Sequence, residues 1–190
     1  MKNALRICVL AVVASLGLAS SASAHHWWMD GGNIVHLNRG HMPTLTLFNN
    51  ATNGSSTAIE HARGEWSGRS WAADLGNWNS NSADVVAWDG WWGTNTWRGL
   101  TSVVGYGAGG HANQMTVQLN RSLLPDYIQQ RKTACHELGH AIAGLDHDTL
   151  GHDPAHDGCM FSGTASSAVQ ERLPSAHDVH HMDVLWATLH

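Results

Sequence analysis

The chain predicts an α+β domain built on a mixed, twisted sheet. Three observations lead there. Short segments with strand composition recur at 34–37, 44–48, 83–88, 100–105 and 115–119. Three further segments, beginning near 57, 125 and 177, space their apolar residues with helical period. Strands and one helix come first, then more strands, then two helices, an order that suits a mixed sheet better than regular βαβ alternation. With 190 residues, 43% hydrophobic and 13% charged, the chain can bury one core and is not a disordered polymer.

Residues 1–24 read as a secretory signal peptide. Lys2 and Arg6 form its charged start, 7–18 its apolar stretch, and Ala22, Ser23 and Ala24 a small-x-small cleavage site. The apolar stretch is short for a membrane span. Residues 25–190 are then the mature domain, exported to the periplasm or the medium, without a membrane anchor and expected to act as a monomer. The whole chain carries a net charge of -5 and no run of Lys or Arg, which excludes a basic nucleic-acid-binding face. Cys8 leaves with the signal. Cys135 and Cys159 remain, and two cysteines in an exported chain point to one disulfide rather than two buried thiols. Closing that loop contributes up to about 3.5 kcal/mol in the chain-entropy account.

Along the mature chain, Ile34, Val35, His36 and Leu37 form a short strand, and 44–48 (Thr, Leu, Thr, Leu, Phe) alternates as a second. Thr57 and Glu60 fit a capping box, placing Ala58, Ile59, Ala62 and Trp66 on one stripe of a helix. Strands follow around Val85 and Val86, at 100–105, and at 115–119, with a glycine-rich loop at 105–110. Pro125 and Asp126 open the next helix, with proline near its first turn. Cys135, Leu138 and Ile142 line its apolar face, and Gly144 stops it. The last helix carries Val179, Met182, Leu185, Trp186 and Leu189 near one face.

Histidine is unusually dense, 15 in all. His136, Glu137, Leu138, Gly139 and His140 spell H-E-x-x-H inside the second helix. Four residues turn a helix by about 400°, so the two imidazoles lie ~40° apart and ~6 Å along the axis, within reach of one ion. Glu137 sits beside the pair and reaches toward metal-bound water rather than the metal. Gly144, Leu145, Asp146 and His147 end the helix and bring back a third donor.

This constellation resembles the metzincin zinc peptidases, and 55–190 is similar to bacterial secreted members with a matrixin-like fold. The likeness extends to Trp97-Arg98-Gly99-Leu100, Met115-Thr116-Val117-Gln118-Leu119-Asn120, Thr133-Ala134-Cys135, Gly158-Cys159-Met160 and Pro174-Ser175-Ala176-His177-Asp178. The resemblance implies a zinc endopeptidase with a cleft over an active-site helix and Met-turn, and a protein or peptide substrate. His136, His140 and His147 would be the zinc ligands, Glu137 the general base, and Met160 an apolar floor beneath the metal. The Cys135–Cys159 bond would tie floor to ligands. Two departures stand out. The family pattern places glycine seven and the third ligand ten residues after the first histidine; here Ala143 and Asp146 occupy those positions, and Gly144 and His147 come one residue later. The glycine count favours His147 over Asp146, because Gly144 can take the positive φ that ends the helix. Phe161 follows Met160 where relatives carry a polar residue.

An extended substrate is expected along the edge strand at 100–105, whose main chain can pair with it. Other readings compete. The loop with His147, Asp148, His152, Asp153, His156 and Asp157 offers ligands for a second ion, calcium or zinc, although a solvated polar loop is the plainer account. The tryptophans from 66 to 97 form either a sugar platform or, more simply, core and cleft walls. His36, His41, His61 and His111 carry no assigned role. A non-catalytic metal-binding protein would keep the ligands without hydrolysis, and His25, exposed by signal cleavage, could start a histidine-brace copper oxidase.

Overall fold

The computed structural model describes residues 29–30, 33–37, 45–68, 75–94, 97–107, 110–147, 158–165 and 170–189. The signal segment 1–24, His25, His41 and the acidic and histidine positions 148–157 lie outside them. The architecture is α+β. Strands β1 (Met29–Asp30) and β2 (Asn33–Ile34) make a small hairpin. Then come β3 (Leu45–Asn49), α1 (Asn53–Ser67), β4 (Leu75–Asn77), β5 (Val85–Gly90), β6 (Gly99–Val103), β7 (Met115–Asn120), α2 (Tyr127–Ala143) and α3 (Ala176–Leu189). The main sheet has the order β4-β3-β5-β7-β6; every neighbouring pair is parallel except β6 and β7.

Strand β6 is therefore an edge, antiparallel to its single partner among the described residues. It ends at Val103 rather than running to 105, because the backbone reaches φ 109° at Gly105 and leaves the extended region. The expected strand at 34–37 shrinks to Asn33–Ile34, with Leu37 making only an isolated bridge to Ala112. Strand β4, three residues with one buried side chain, has too little periodicity to have been anticipated.

The expected start of α1 needs correction. Helix α1 begins at Asn53, a turn before Thr57. The reason is tertiary: Asp89 at the end of β5 accepts from the Thr52 N–H (2.9 Å) and hydroxyl (3.2 Å), holding the chain where the helix starts. Thr57 lies inside the helix, donating to the Asn53 carbonyl, and Glu60 engages Asn49 and Arg63 instead of a helix end. In α2 the cap is Asp126, whose carboxylate accepts from the Gln129 N–H at 2.9 Å. Pro125 directly precedes this cap, so Pro125 and Asp126 open the helix as expected. The other end matches expectation: Ala143 is the last helical residue and Gly144 caps it at φ 55°. Helix α3 starts on a reciprocal pair, the Ser175 N–H to the Asp178 carboxylate and the Asp178 N–H to the Ser175 hydroxyl.

Ala58, Ile59, Ala62 and Trp66 of α1 pack into a core with Leu45 and Leu47 of β3, Val85 and Ala87 of β5, Met115, Val117 and Leu119 of β7, and the buried face of α2. Trp66 is completely buried, and its indole N–H donates to the Cys135 carbonyl at 3.0 Å, joining the two helices by a polar contact inside the core. Cys135 and Cys159 are bonded, with Cα atoms 5.8 Å apart. No helix among the described residues is long and apolar enough to cross a membrane.

Candidate metal centre

Helix α2 carries His136 and His140 one turn apart, and the turn after Gly144 returns His147 to them. Each imidazole offers a ligand atom, and the three atoms lie within 4.8 Å of one another. The ring centroids are 4.6, 4.9 and 5.0 Å apart. It is the one group of three potential ligands that converges among the described residues. Asp146 is not in it; its carboxylate accepts from the His147 backbone N–H at 2.7 Å. The additional residue between His140 and His147 is accommodated as one more helical position, Ala143, before the left-handed Gly144.

Two of the three rings are oriented from behind. His136 Nδ1 lies 2.7 Å from the Cys159 carbonyl, and His140 Nδ1 lies 2.6 Å from the Leu145 carbonyl. A carbonyl can only accept, so each Nδ1 carries the proton and the lone pair lies on each Nε2. Burial holds His136 well below the usual histidine range, with His140 adding to the effect, and burial lowers His140 to about 4. Both rings are neutral near pH 7, the state a metal requires.

Glu137 stands between His136 and His140 on the same stretch of helix. Its carboxylate is buried and accepts from the Thr101 hydroxyl of β6 at 2.7 Å; that hydroxyl also lies 2.9 Å from the Glu137 carbonyl. Burial raises Glu137 to about 7, against the Thr101 hydrogen bond and the Lys132 charge, which favour the carboxylate. Gly99 makes room for it: a Cβ there would stand 2.3 Å from Glu137 Oε1.

Met160 is buried beneath the helix. A Cβ on Gly139 would fall 2.3 Å from its sulfur and 2.8 Å from Trp66 Cζ2, so α2 rests on these two side chains at a glycine between the two ligands. The Phe161 N–H closes a turn on the Gly158 carbonyl (3.2 Å), and the Cys159 N–H bonds the Leu173 carbonyl (2.8 Å). The chain beyond is stapled to α2. Lys132, 3% exposed, donates to the Phe161 (2.5 Å) and Gly163 (3.0 Å) carbonyls, and Gln129 exchanges two hydrogen bonds with the Ala165 backbone.

The cleft runs along β6 past the histidines. On one side a pocket of about 220 Å³ touches Leu100, Thr101, His140 and Asp146; on the other, one of about 280 Å³ touches Arg98, Lys132, His136 and Gly163. Glu137 and His147 border both.

Sequence reasoning found His136, Glu137, His140, His147, Met160 and the two cysteines, and the structure gathers all seven around this turn. It missed Thr101, Arg98, Lys132 and Asn120. Asn120 is fully buried; its amide donates to the Gly93 and Trp97 carbonyls and its oxygen accepts from the Trp92 and Ser122 N–H groups, which anchors the loop that delivers Arg98 and Gly99. No local spacing announces these four. The tryptophans divide: Trp66 is core, Trp97 borders the cleft, and Trp78 and Trp91 are exposed, Trp91 under the Arg121 guanidinium. The unassigned histidines also have partners, His36 with His111 at 3.1 Å and His61 with the Tyr127 hydroxyl. No protein-family model matches the chain, and no curated protein matches it.

Proposed function

We propose that the chain is a secreted zinc endopeptidase of the metzincin kind, with a matrixin-like arrangement of active-site helix and Met-turn. The observation that carries the reading is the convergence of His136, His140 and His147 beside the buried Glu137 carboxylate. The donor set fits zinc: three imidazoles, two with their second nitrogen fixed by a carbonyl, leave a fourth position for water or substrate. When bound, zinc acidifies a water and polarises the scissile carbonyl.

The remaining work falls to side chains. Thr101 occupies Glu137 Oε2, which leaves Oε1, opposite Gly99, to take the proton from the attacking water and pass it to the departing amine. The outer edge of β6 offers main-chain groups to an extended substrate in a way that asks little of its side chains. Met160 and Trp66 hold α2 from below and keep the two helical ligands in register. Export by the 1–24 segment agrees with the Cys135–Cys159 bond, which persists in oxidising compartments.

Hydrolysis of casein or gelatin, with a zinc chelator and then with zinc restored, tests the reading together with metal analysis. The expected result is one zinc per chain, activity lost to the chelator and regained. Glu137→Ala should retain zinc and lose at least ~10²-fold in rate. One zinc without hydrolysis in the wild type would make the protein a non-catalytic metal binder, and copper in place of zinc would point to the oxidase reading.

A further inference from the structure

The two pockets beside the histidine cluster differ in charge. Asp146 borders the smaller one, whereas Arg98 and Lys132 border the larger. The larger pocket lies between α2, the segment after Met160, and the Trp97–Gly99 stretch that leads into β6. The backbone that carries Arg98 and the Lys132 ammonium are both held in place. The Arg98 carbonyl accepts from the Asn120 N–H at 2.8 Å, and Lys132 is held by the Phe161 and Gly163 carbonyls.

Neither cation is fully answered. Lys132 has three donors and the two carbonyls use two of them. Arg98 Nε is buried and receives no hydrogen-bond partner from the chain. The two positive charges also act on each other unfavourably. The carboxylates that act on Lys132 are Glu171 and Glu137. Glu171 does not border the pocket; Glu137 does, and set against Arg98 and Lys132 it leaves the lining one positive charge in excess. A neutral or apolar occupant would leave the third Lys132 donor and the excess positive charge unanswered, whereas a carboxylate answers both.

We propose that this pocket of about 280 Å³ is a carboxylate subsite, which takes the side chain of a glutamate or aspartate beside the scissile bond, or the substrate's terminal carboxylate. The proposal rests on the zinc-peptidase reading and names the substrate class for it. Asp146 on the opposite side disfavours an acidic group there, so the two pockets together give the bound peptide a direction.

Short peptide hydroxamates test this on the zinc-loaded protein, because the hydroxamate anchors on the metal and binding is read by calorimetry without turnover. Four probes suffice: glutamate or glutamine next to the hydroxamate, each with a free or an amidated C-terminus. The glutamate probe should bind at least about tenfold tighter than its glutamine counterpart. In Arg98→Gln that ratio should fall toward one. Lys132→Gln should do the same; because it also releases the 161–163 segment, Arg98→Gln is the decisive variant. A gain that follows the free C-terminus instead of the side chain assigns the subsite to a terminal carboxylate. Equal binding of all four probes overturns the subsite and leaves the zinc reading standing. Failure of every probe to bind overturns the zinc reading and the subsite with it.

Discussion

The Thr101 hydroxyl on the edge strand β6 donates to the Glu137 carboxylate on α2 at 2.7 Å. The contact joins the strand that would hold substrate to the group that would move its proton. It also opposes the burial that raises Glu137 to about 7. Removing it in Thr101→Val should raise Glu137 further and move the acidic limb of the activity profile to higher pH. An unchanged limb, measured as kcat/KM against pH, would mean that Thr101 does not tune the base.

Metal-free protein gives a second measurement of the same group. Glu137 stands at about 7 when folded and near 4.5 when unfolded. Below 4.5 both states hold the proton, and no penalty exists. Between 4.5 and 7 the folded chain keeps a proton that the unfolded chain releases, so stability falls as pH rises. Above 7 the cost is complete, about 3 kcal/mol. Glu137→Gln should therefore match the wild type in urea unfolding at pH 4 and exceed it at pH 8. Equal stability at both pH values would reject the raised folded value.

The third ligand separates by affinity. His147→Ala should weaken zinc binding strongly, because it removes a donor that converges with His136 and His140. Asp146→Ala should weaken it little, since Asp146 engages the His147 backbone. A competition titration in which Asp146→Ala strips the metal and His147→Ala retains it would reverse the assignment.

Gly139→Ala probes the packing under the metal site. Its Cβ would meet Met160 sulfur at 2.3 Å and Trp66 at 2.8 Å, so helix, methionine or indole must shift. The expected loss is about 1–3 kcal/mol of stability, together with weaker zinc binding as His136 and His140 move relative to their supporting carbonyls. Normal stability and affinity would show that the floor yields at no cost.

Cys159 links the disulfide to the ligands, because its carbonyl holds His136 Nδ1 at 2.7 Å. Cys159→Ser should lower the thermal midpoint, with a loss of up to about 3.5 kcal/mol of stability in the loop-closure account, and weaken zinc by about 10-fold or more through the loosened support. Thiol labelling before and after reduction establishes the bond in the exported protein; free thiols before reduction would remove the basis of this expectation.

The pairing of His136 and His140 on α2 was legible because the signal is local. Helical pitch alone puts His136 and His140 on one face, and Gly144 marks the end of that helix whatever surrounds it. The buried stripe of α1 and strands β3, β5, β6 and β7 were legible from period and composition in the same way. The start of α1 was not: Thr57 and Glu60 satisfy a capping pattern, yet Asp89, distant in sequence, holds the chain where α1 starts at Asn53. Likewise, nothing near Glu137 in sequence names Thr101, and nothing near Arg98 names Lys132. Those pairs arise when β6 joins β7 at the sheet edge and α2 packs across the sheet. Contacts between distant segments leave no spacing to read, because they depend on how elements dock and not on the pitch of any one of them.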